Sequence, residues 1–368
     1  MSERDRYMSY DVPGELKTGK LPVEVLARSV LSRRGKARSE VVLHASVGED
    51  SCAIDPSRDL VVMSTDPITG AEGEIGWLSV HIACNDVAAN GAEPVGVLVT
   101  LLSPQGSRVS DVERVMAGVD AAARELGIEV LGGHTEVTAA VVQPVISTTA
   151  VGLAPADGLV TKSGAAPGDA IIMTKGAGLE GTAILATDFG DVLAASLGEE
   201  LVERAREFIR EISVVREGLI AARCGATAMH DVTEGGVLGA LWEMAGAPAA
   251  SGASMGFTIR LNDVPVREET AAICRVAGVD PLRLVSSGAM LIAARPGASR
   301  DILGSLRGAS IEAATIGEFT TGGRVLVAGG REISAGAPES DHIWAARSRL
   351  DGMRDTLRGV VRGRPTSR

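Results

Sequence analysis

Aromatic side chains are nearly absent, at 2% of 368 residues against 45% hydrophobic overall. A core without large rings must be built from Ala, Val, Leu and Ile in many thin layers, and the apolar fraction is ample for one. Cysteine is scarce too. Cys52, Cys84, Cys224 and Cys274 stand apart with no CxxC spacing, which argues against a zinc site or a disulfide frame. They read as reduced, mostly buried thiols of a cytoplasmic protein. Positive charge is outweighed: 36 Lys and Arg face 47 Asp and Glu, for a net charge of −11. That speaks against nucleic acid or an anionic membrane as the main partner. Phosphate is not excluded, because backbone N–H groups or a bridging Mg²⁺ hold it well in an acidic protein. No apolar run of about 18 residues occurs, and MSERDRYMSYDVPGEL is not a signal peptide.

The length favours two domains. The stretch 226–245, ATAMHDVTEGGVLGALWEMA, is the one around which the rest is arranged. A short apolar strand is followed by Asp231, Thr233, Gly235 and Gly236, and then Val237, Leu238, Leu241, Trp242, Met244 and Ala245 recur at helical spacing. Such a strand–turn–helix offers free N–H groups and a positive helix end to phosphate. Alternatively, Asp231 or Thr233 merely caps the helix.

Earlier in the chain, a helix is expected over 22–32 and strands over 41–43 and 60–65. These two strands lead into acidic turns, one holding Gly48, Glu49 and Asp50 and the other Asp66. Acidic turn residues are often only turn formers. Residues 77–89, WLSVHIACNDVAA, form a helix that is apolar almost all round yet carries Asn85 and Asp86 in its middle. A carboxylate buried there needs a hydrogen bond, a cation or a metal. Ser110 with Glu113 predicts a capping box for the next helix. A strand over 128–131 then runs into Gly132-Gly133-His134-Thr135, read as a turn in which His134 either donates to phosphate or is a plain turn residue. Residues 155–168 form the linker. Gly176, Gly178 and Gly181 match GxGxxG, but no second strand ends in an acidic residue about 20 positions on, so a dinucleotide fold is discounted.

Taken together, ACNDVAANGAEP (83–94), LGGHTEV (131–137), SGAAPGDAIIMTKGAGLEGTAILA (163–186), MHDVTEGGVLGALWEMA (229–245) and GVDPLRLVSSGAMLIA (278–293) resemble the aminoimidazole ribonucleotide (AIR) synthetase superfamily. That superfamily includes selenophosphate synthetase, thiamine-monophosphate kinase and the HypE-type hydrogenase expression/formation proteins. Segment 257–293 looks most like the HypE-type branch. The resemblance implies an α/β (α+β) class and a two-domain AIR synthetase-like fold, an N-terminal dimerising sheet domain plus a C-terminal α+β domain. The expected divisions are an arm over 1–20, an ATP-binding and dimerisation domain over 21–155, a second domain over 156–344 and a basic tail over 345–368.

The resemblance further implies ATP and Mg²⁺ as cofactors and a homodimer, with a maturation protein as a further partner. Asp50, Asp66 and Asp86 fall at its metal positions. Gly48, Asn85, Gly132, Gly133, Thr135, Thr233, Gly235 and Gly236 fall at its nucleotide-contacting ones, and His134 and Asp231 at those orienting the acceptor. Three departures stand out. The first acidic turn reads Gly48-Glu49-Asp50 instead of Gly-Asp-Asp, and His134 follows Gly-Gly where a carboxylate is frequent. The HypE-type proteins carry a terminal Cys, whereas here no Cys follows Cys274. The expectation is an ATP- and Mg-dependent enzyme that cleaves ATP or transfers a phosphoryl group to a small acceptor. The alternatives are a non-catalytic ATP-binding sensor or maturation scaffold, or a kinase of a small phosphorylated metabolite.

Overall fold

A computed structural model describes residues 16, 19–20, 25–44, 53–57, 59–69, 74–246, 255–337 and 340–362. The chain divides into two units, 1–159 and 160–368.

The first unit is organised by strands β1 (Gly19–Lys20), β2 (Val41–Leu43), β3 (Ala53–Ile54), β4 (Leu60–Ile68), β5 (Glu93–Pro104), β6 (Glu129–Thr138) and β7 (Val145–Ala154). Five of them form one sheet in the order β1-β6-β5-β7-β4, and β2 pairs with β3 alone. The unit also holds helices α1 (Ile75–Ala89) and α2 (Val109–Leu126), and a π-helical turn, Leu26–Val30, within the helix expected over 22–32. Strands β5 and β6 run parallel, joined through α2 as parallel neighbours require.

Helix α1 lies between the sheet strands β4 and β7 on one side and α2 on the other. Enclosure on both sides explains its all-round apolar sequence, in which every residue except Ile82 and Asp86 is buried. It ends at Asn90, and Gly91 takes the left-handed conformation (φ 74°) that stops the helix. Helix α2 begins one residue before the expected cap. Asp111, not Glu113, reaches back to the Arg108 N–H at 2.9 Å, while Glu113 accepts from the Ser29 hydroxyl at 3.1 Å.

Two expectations about strand ends are corrected. Asp66 does not end a strand: β4 continues to Ile68, and Asp66 pairs with Thr148 inside the ladder. The segment Gly132-Gly133-His134-Thr135 is not a turn either. It lies within β6, with Gly132 opposite Leu98 and Gly133 opposite Val99. Gly133 sits at φ 146°, and a Cβ there would lie 1.8 Å from the Val99 carbonyl oxygen. Its smallness therefore serves β5–β6 contact.

The second unit centres on a seven-stranded sheet formed by β8 (Ala170–Thr174), β9 (Ala226–Asp231), β10 (Met255–Arg260), β11 (Met290–Ala294), β12 (Ala313–Thr321), β13 (Arg324–Ala328) and β14 (Arg331–Ser334). Its order is β14-β13-β10-β12-β8-β11-β9. The helices are α3 (Leu179–Asp188), α4 (Gly190–Leu197), α5 (Glu199–Arg206), α6 (Val215–Arg223), α7 (Gly236–Gly246), α8 (Glu268–Ala277), α9 (Pro296–Gly308) and α10 (His342–Arg362). A 3-10 turn, Glu207–Glu211, separates α5 from α6. Residues 345–362 of the expected tail lie in α10, whose Leu350 is buried with Phe189 and Ile273 in the core of this unit. Among the described residues no helix is long and apolar enough to cross a membrane.

The GxGxxG turn is occupied by the protein itself. Gly178 N–H donates to Ser286 Oγ at 2.8 Å, and Lys175 Nζ donates to the carbonyls of Glu211 (2.7 Å) and Ser213 (2.6 Å). A Cβ at Gly181 would meet Leu284 Cγ at 2.4 Å, so that glycine serves packing.

Substituting Gly133→Ala forces both a clash and a strained φ, and should cost about 3 kcal/mol. In Gly132→Ala the new methyl meets only Leu98 Cδ2 at 3.5 Å, and the loss should stay below about 1 kcal/mol. Urea unfolding of both variants checks this; equal losses would contradict the assignment.

Candidate functional site

Strand β4 presents alternate side chains to α1. Val62, Ser64, Asp66 and Ile68 are half-buried, while Val61, Met63, Thr65 and Pro67 between them are exposed. Ser64 fixes the contact by donating its hydroxyl to Asp86 Oδ2 at 2.6 Å. Asp66, two residues on, lies on the same face. The structure thus brings Asp66 and Asp86 to one strand–helix seam. Asp86 is half-buried, and its neighbour Asn85 is fully buried. Burial, followed by the charge of Asp86, pushes the Cys84 thiol far up, so Cys84 is inert packing.

At this seam Asp66 Oδ2 is buried with no hydrogen-bond partner. Directly across the β4–β7 ladder, Thr148 is fully buried and its Oγ1 is also without a partner. Buried polar atoms are nearly always satisfied, so a pair of orphans opposite each other calls for an explanation. The expected positions Gly48 and Asp50 lie outside the described residues.

His134 and Thr135 lie further across the same sheet. Thr135 is buried, whereas His134 is exposed and has Nε2 3.2 Å from Glu136 Oε2. Strand alternation puts His134 and Glu136 on the face away from Asp66, and Thr135 and Val137 on the inner face. The sheet therefore separates His134 from the Asp66–Asp86 seam. The expected phosphate role of Gly132 and Gly133 as a turn has no turn to rest on.

In the second unit the sharp turn is present. Gly235 (φ 84°) and Gly236 (φ 64°) carry the chain from β9 into α7, and a Cβ on Gly236 would lie 2.7 Å from the carbonyl oxygens of Leu282 and Leu284. Its N–H groups are taken, however. Gly236 N–H donates to the Thr233 carbonyl at 3.1 Å, and Gly235 N–H donates to Asp341 Oδ2 at 2.7 Å. Asp341 also accepts from Ile343 N–H at 2.7 Å and so caps α10. Thr233 contributes its backbone here, and a carboxylate occupies one place expected for phosphate.

Asp231 is buried at the end of β9. Its neighbour His230, also buried, has carboxylates at both ring nitrogens: Asp231 Oδ1 3.6 Å from Nδ1 and Glu243 Oε2 2.8 Å from Nε2. Lys162 Nζ reaches the same Glu243 oxygen at 3.3 Å. Burial pulls the His230 pKa down, but the carboxylates of Asp231 and Glu243 against its ring outweigh it and the net shift is upward. His230 in turn holds Glu243 down at about 2. Burial pushes Glu180 upward, assisted by the charges of Asp341 and Asp231 and opposed by its contact with Ser287.

Residues 48–154 match the family described as AIR synthase related protein, N-terminal domain, and residues 166–329 match its C-terminal domain. The chain belongs to the AIR synthase related family. Carbamoyl dehydratase HypE of Rhizobium leguminosarum bv. viciae is 31% identical over 285 residues, covering 73% of this chain and 76% of that protein. The crystal structure of Escherichia coli HypE, a hydrogenase maturation protein, is similar with a TM-score of 0.69 at 23% identity, covering 83% and 94% of the two chains. A HypE crystal structure in complex with ATP is similar with a TM-score of 0.65 at 27% identity, covering 81% and 90%.

For an AIR synthase related protein, the seam in the first unit suits a hard cation. Its donors are all oxygens, the preference of Mg²⁺, and Asp66 Oδ2 is a buried oxygen left without a hydrogen-bond partner. Among the described residues no group of three His, Cys, Asp or Glu could hold a metal by itself. Thr148, Glu180 and Asp341 were not found by sequence reasoning. Thr148 is an ordinary strand residue until its register is known, and Asp341 lies 106 residues beyond Gly235.

The His230–Glu243 pair makes stability depend on pH. A raised histidine pKa gives stabilisation that is complete below its ordinary 6.5 and lost as pH rises through the folded-state value. The depressed carboxylate contributes above its ordinary 4.5 and fails only towards about 2. The Tm difference between the unaltered protein and His230→Gln should therefore be widest between those ordinary values and narrow as pH climbs above 6.5. Thermal melts across pH test this, and a difference independent of pH would contradict it.

Proposed function

We propose that this AIR synthase related, HypE-like protein is an ATP- and Mg²⁺-dependent enzyme that cleaves ATP or transfers its phosphoryl group to a small acceptor. The observation that carries this reading is that Asp66 shares the α1-facing side of β4 with Ser64, which binds Asp86, and has a buried oxygen left without a partner. A similar HypE structure holds ATP, which supports the nucleotide.

On this reading Asp66 and Asp86 hold the cation, and Ser64 fixes Asp86 through its 2.6 Å hydrogen bond. The cation, when bound, supplies positive charge that neutralises phosphate oxygens as the terminal phosphoryl group departs. The rigid strand–helix frame keeps the carboxylates aligned, which matters more here than covalent chemistry by the protein. Asn85 and Thr135, both buried, support the frame.

Calorimetric titration of ATP with and without Mg²⁺, with phosphate release followed in the same sample, tests the function. Mg-dependent binding with slow release is expected. Tight binding without release would instead support an ATP-binding sensor or scaffold, and no binding would overturn both. Asp86→Asn, which keeps a partner for Ser64, should preserve the fold and weaken Mg-ATP binding by more than ~10-fold; unchanged affinity would overturn the cation assignment.

A further inference from the structure

Thr148 is fully buried on the inner face of the sheet, where its hydroxyl bonds to nothing. On purely structural grounds the position calls for valine. The side chain beside it in the ladder, Val99, is buried and apolar, and valine fits a buried strand at least as well as threonine. A buried hydroxyl without a partner is destabilising, so its presence needs a compensating use.

The register supplies one. Thr148 and Asp66 are directly opposed in the antiparallel β4–β7 pair, where Cβ atoms come to about 4.5–5.5 Å. Each has a buried oxygen without a partner, one a hydroxyl able to donate and the other a carboxylate oxygen able only to accept. The adjacent face position on β4, Ser64, already shows the same arrangement completed: a hydroxyl donating to the carboxylate of Asp86 at 2.6 Å. The seam thus contains two hydroxyl–carboxylate couples, one closed and one open.

We propose that Thr148 is a positioning residue for the cation-holding carboxylate of Asp66. Its hydroxyl donates to Oδ2 when Asp66 takes up its cation-holding orientation, which fixes the carboxylate plane and leaves the other oxygen for the metal. Outer hydrogen bonds of this kind orient ligands and tune affinity. The inference rests on the reading that Asp66 and Asp86 hold Mg²⁺, and the experiment separates the two.

Direct binding of Mn²⁺, used as a spectroscopic stand-in for Mg²⁺, is measured by electron paramagnetic resonance on the full chain with ATP present. Thermal melts without metal are run alongside. Thr148→Val should weaken Mn²⁺ binding by roughly 10–100-fold, the range for loss of an outer-shell partner. It should melt no lower than the unaltered protein, because an orphaned hydroxyl has become a methyl. Thr148→Ser, which restores the donor, should bind Mn²⁺ within a few-fold of the unaltered protein. Should valine prevent folding, Thr148→Ala makes the same comparison. Unchanged Mn²⁺ affinity in Thr148→Val, with Asp66→Asn impaired, would overturn the role of Thr148 alone. Unchanged affinity in Asp66→Asn would overturn the underlying cation site and the inference with it.

Discussion

The register between β4 and β7 is the constraint on which the first unit depends. It sets Asp66 opposite Thr148 and turns Ser64 toward Asp86. A slip of one residue would send all of these side chains to the other face and place Met63 and Thr65 against α1. The hydrophobic effect enforces the register. Helix α1 is buried on nearly every side, and the strands β5 and β7 behind it carry Val97, Val99, Leu101, Ile146 and Ala150 on the inner face. The polar seam is therefore held in place by apolar packing around it, and burial makes the partnership of each oxygen there matter energetically.

The second unit solves a different problem. Its turn at Thr233–Gly236 is drawn so close to the backbone of Leu282 and Leu284 that a side chain at Gly236 has no room. Asp341 closes the Gly235 N–H from a distant point in the chain and at the same time caps α10. Asp341 thereby ties the turn to the start of α10, while His230 at the end of β9 is held separately between Asp231 and Glu243.

Much of the frame was legible in the sequence. The buried helix with Asn85 and Asp86 and the strand–turn–helix at 226–245 both stand where periodicity and turn chemistry put them. What was missed has a physical reason. Glycine pairs and acidic residues read as turns because turns are where they are commonest, yet Gly133 is required by close strand contact and Asp66 lies inside a ladder. No local pattern announces either. Thr148 and Asp341 are legible only through non-local pairing, one across a sheet and the other between segments over a hundred residues apart. The Asp66–Asp86 seam is thus half local, in the helix carrying Asp86, and half topological.

The most direct test of the account is a crystal structure grown with Mn²⁺ and a non-hydrolysable ATP analogue, with anomalous scattering used to locate the metal. The account predicts a peak bordered by the carboxylates of Asp66 and Asp86, with Ser64 still on Asp86. A metal bound elsewhere, with both carboxylates left aside, would contradict it.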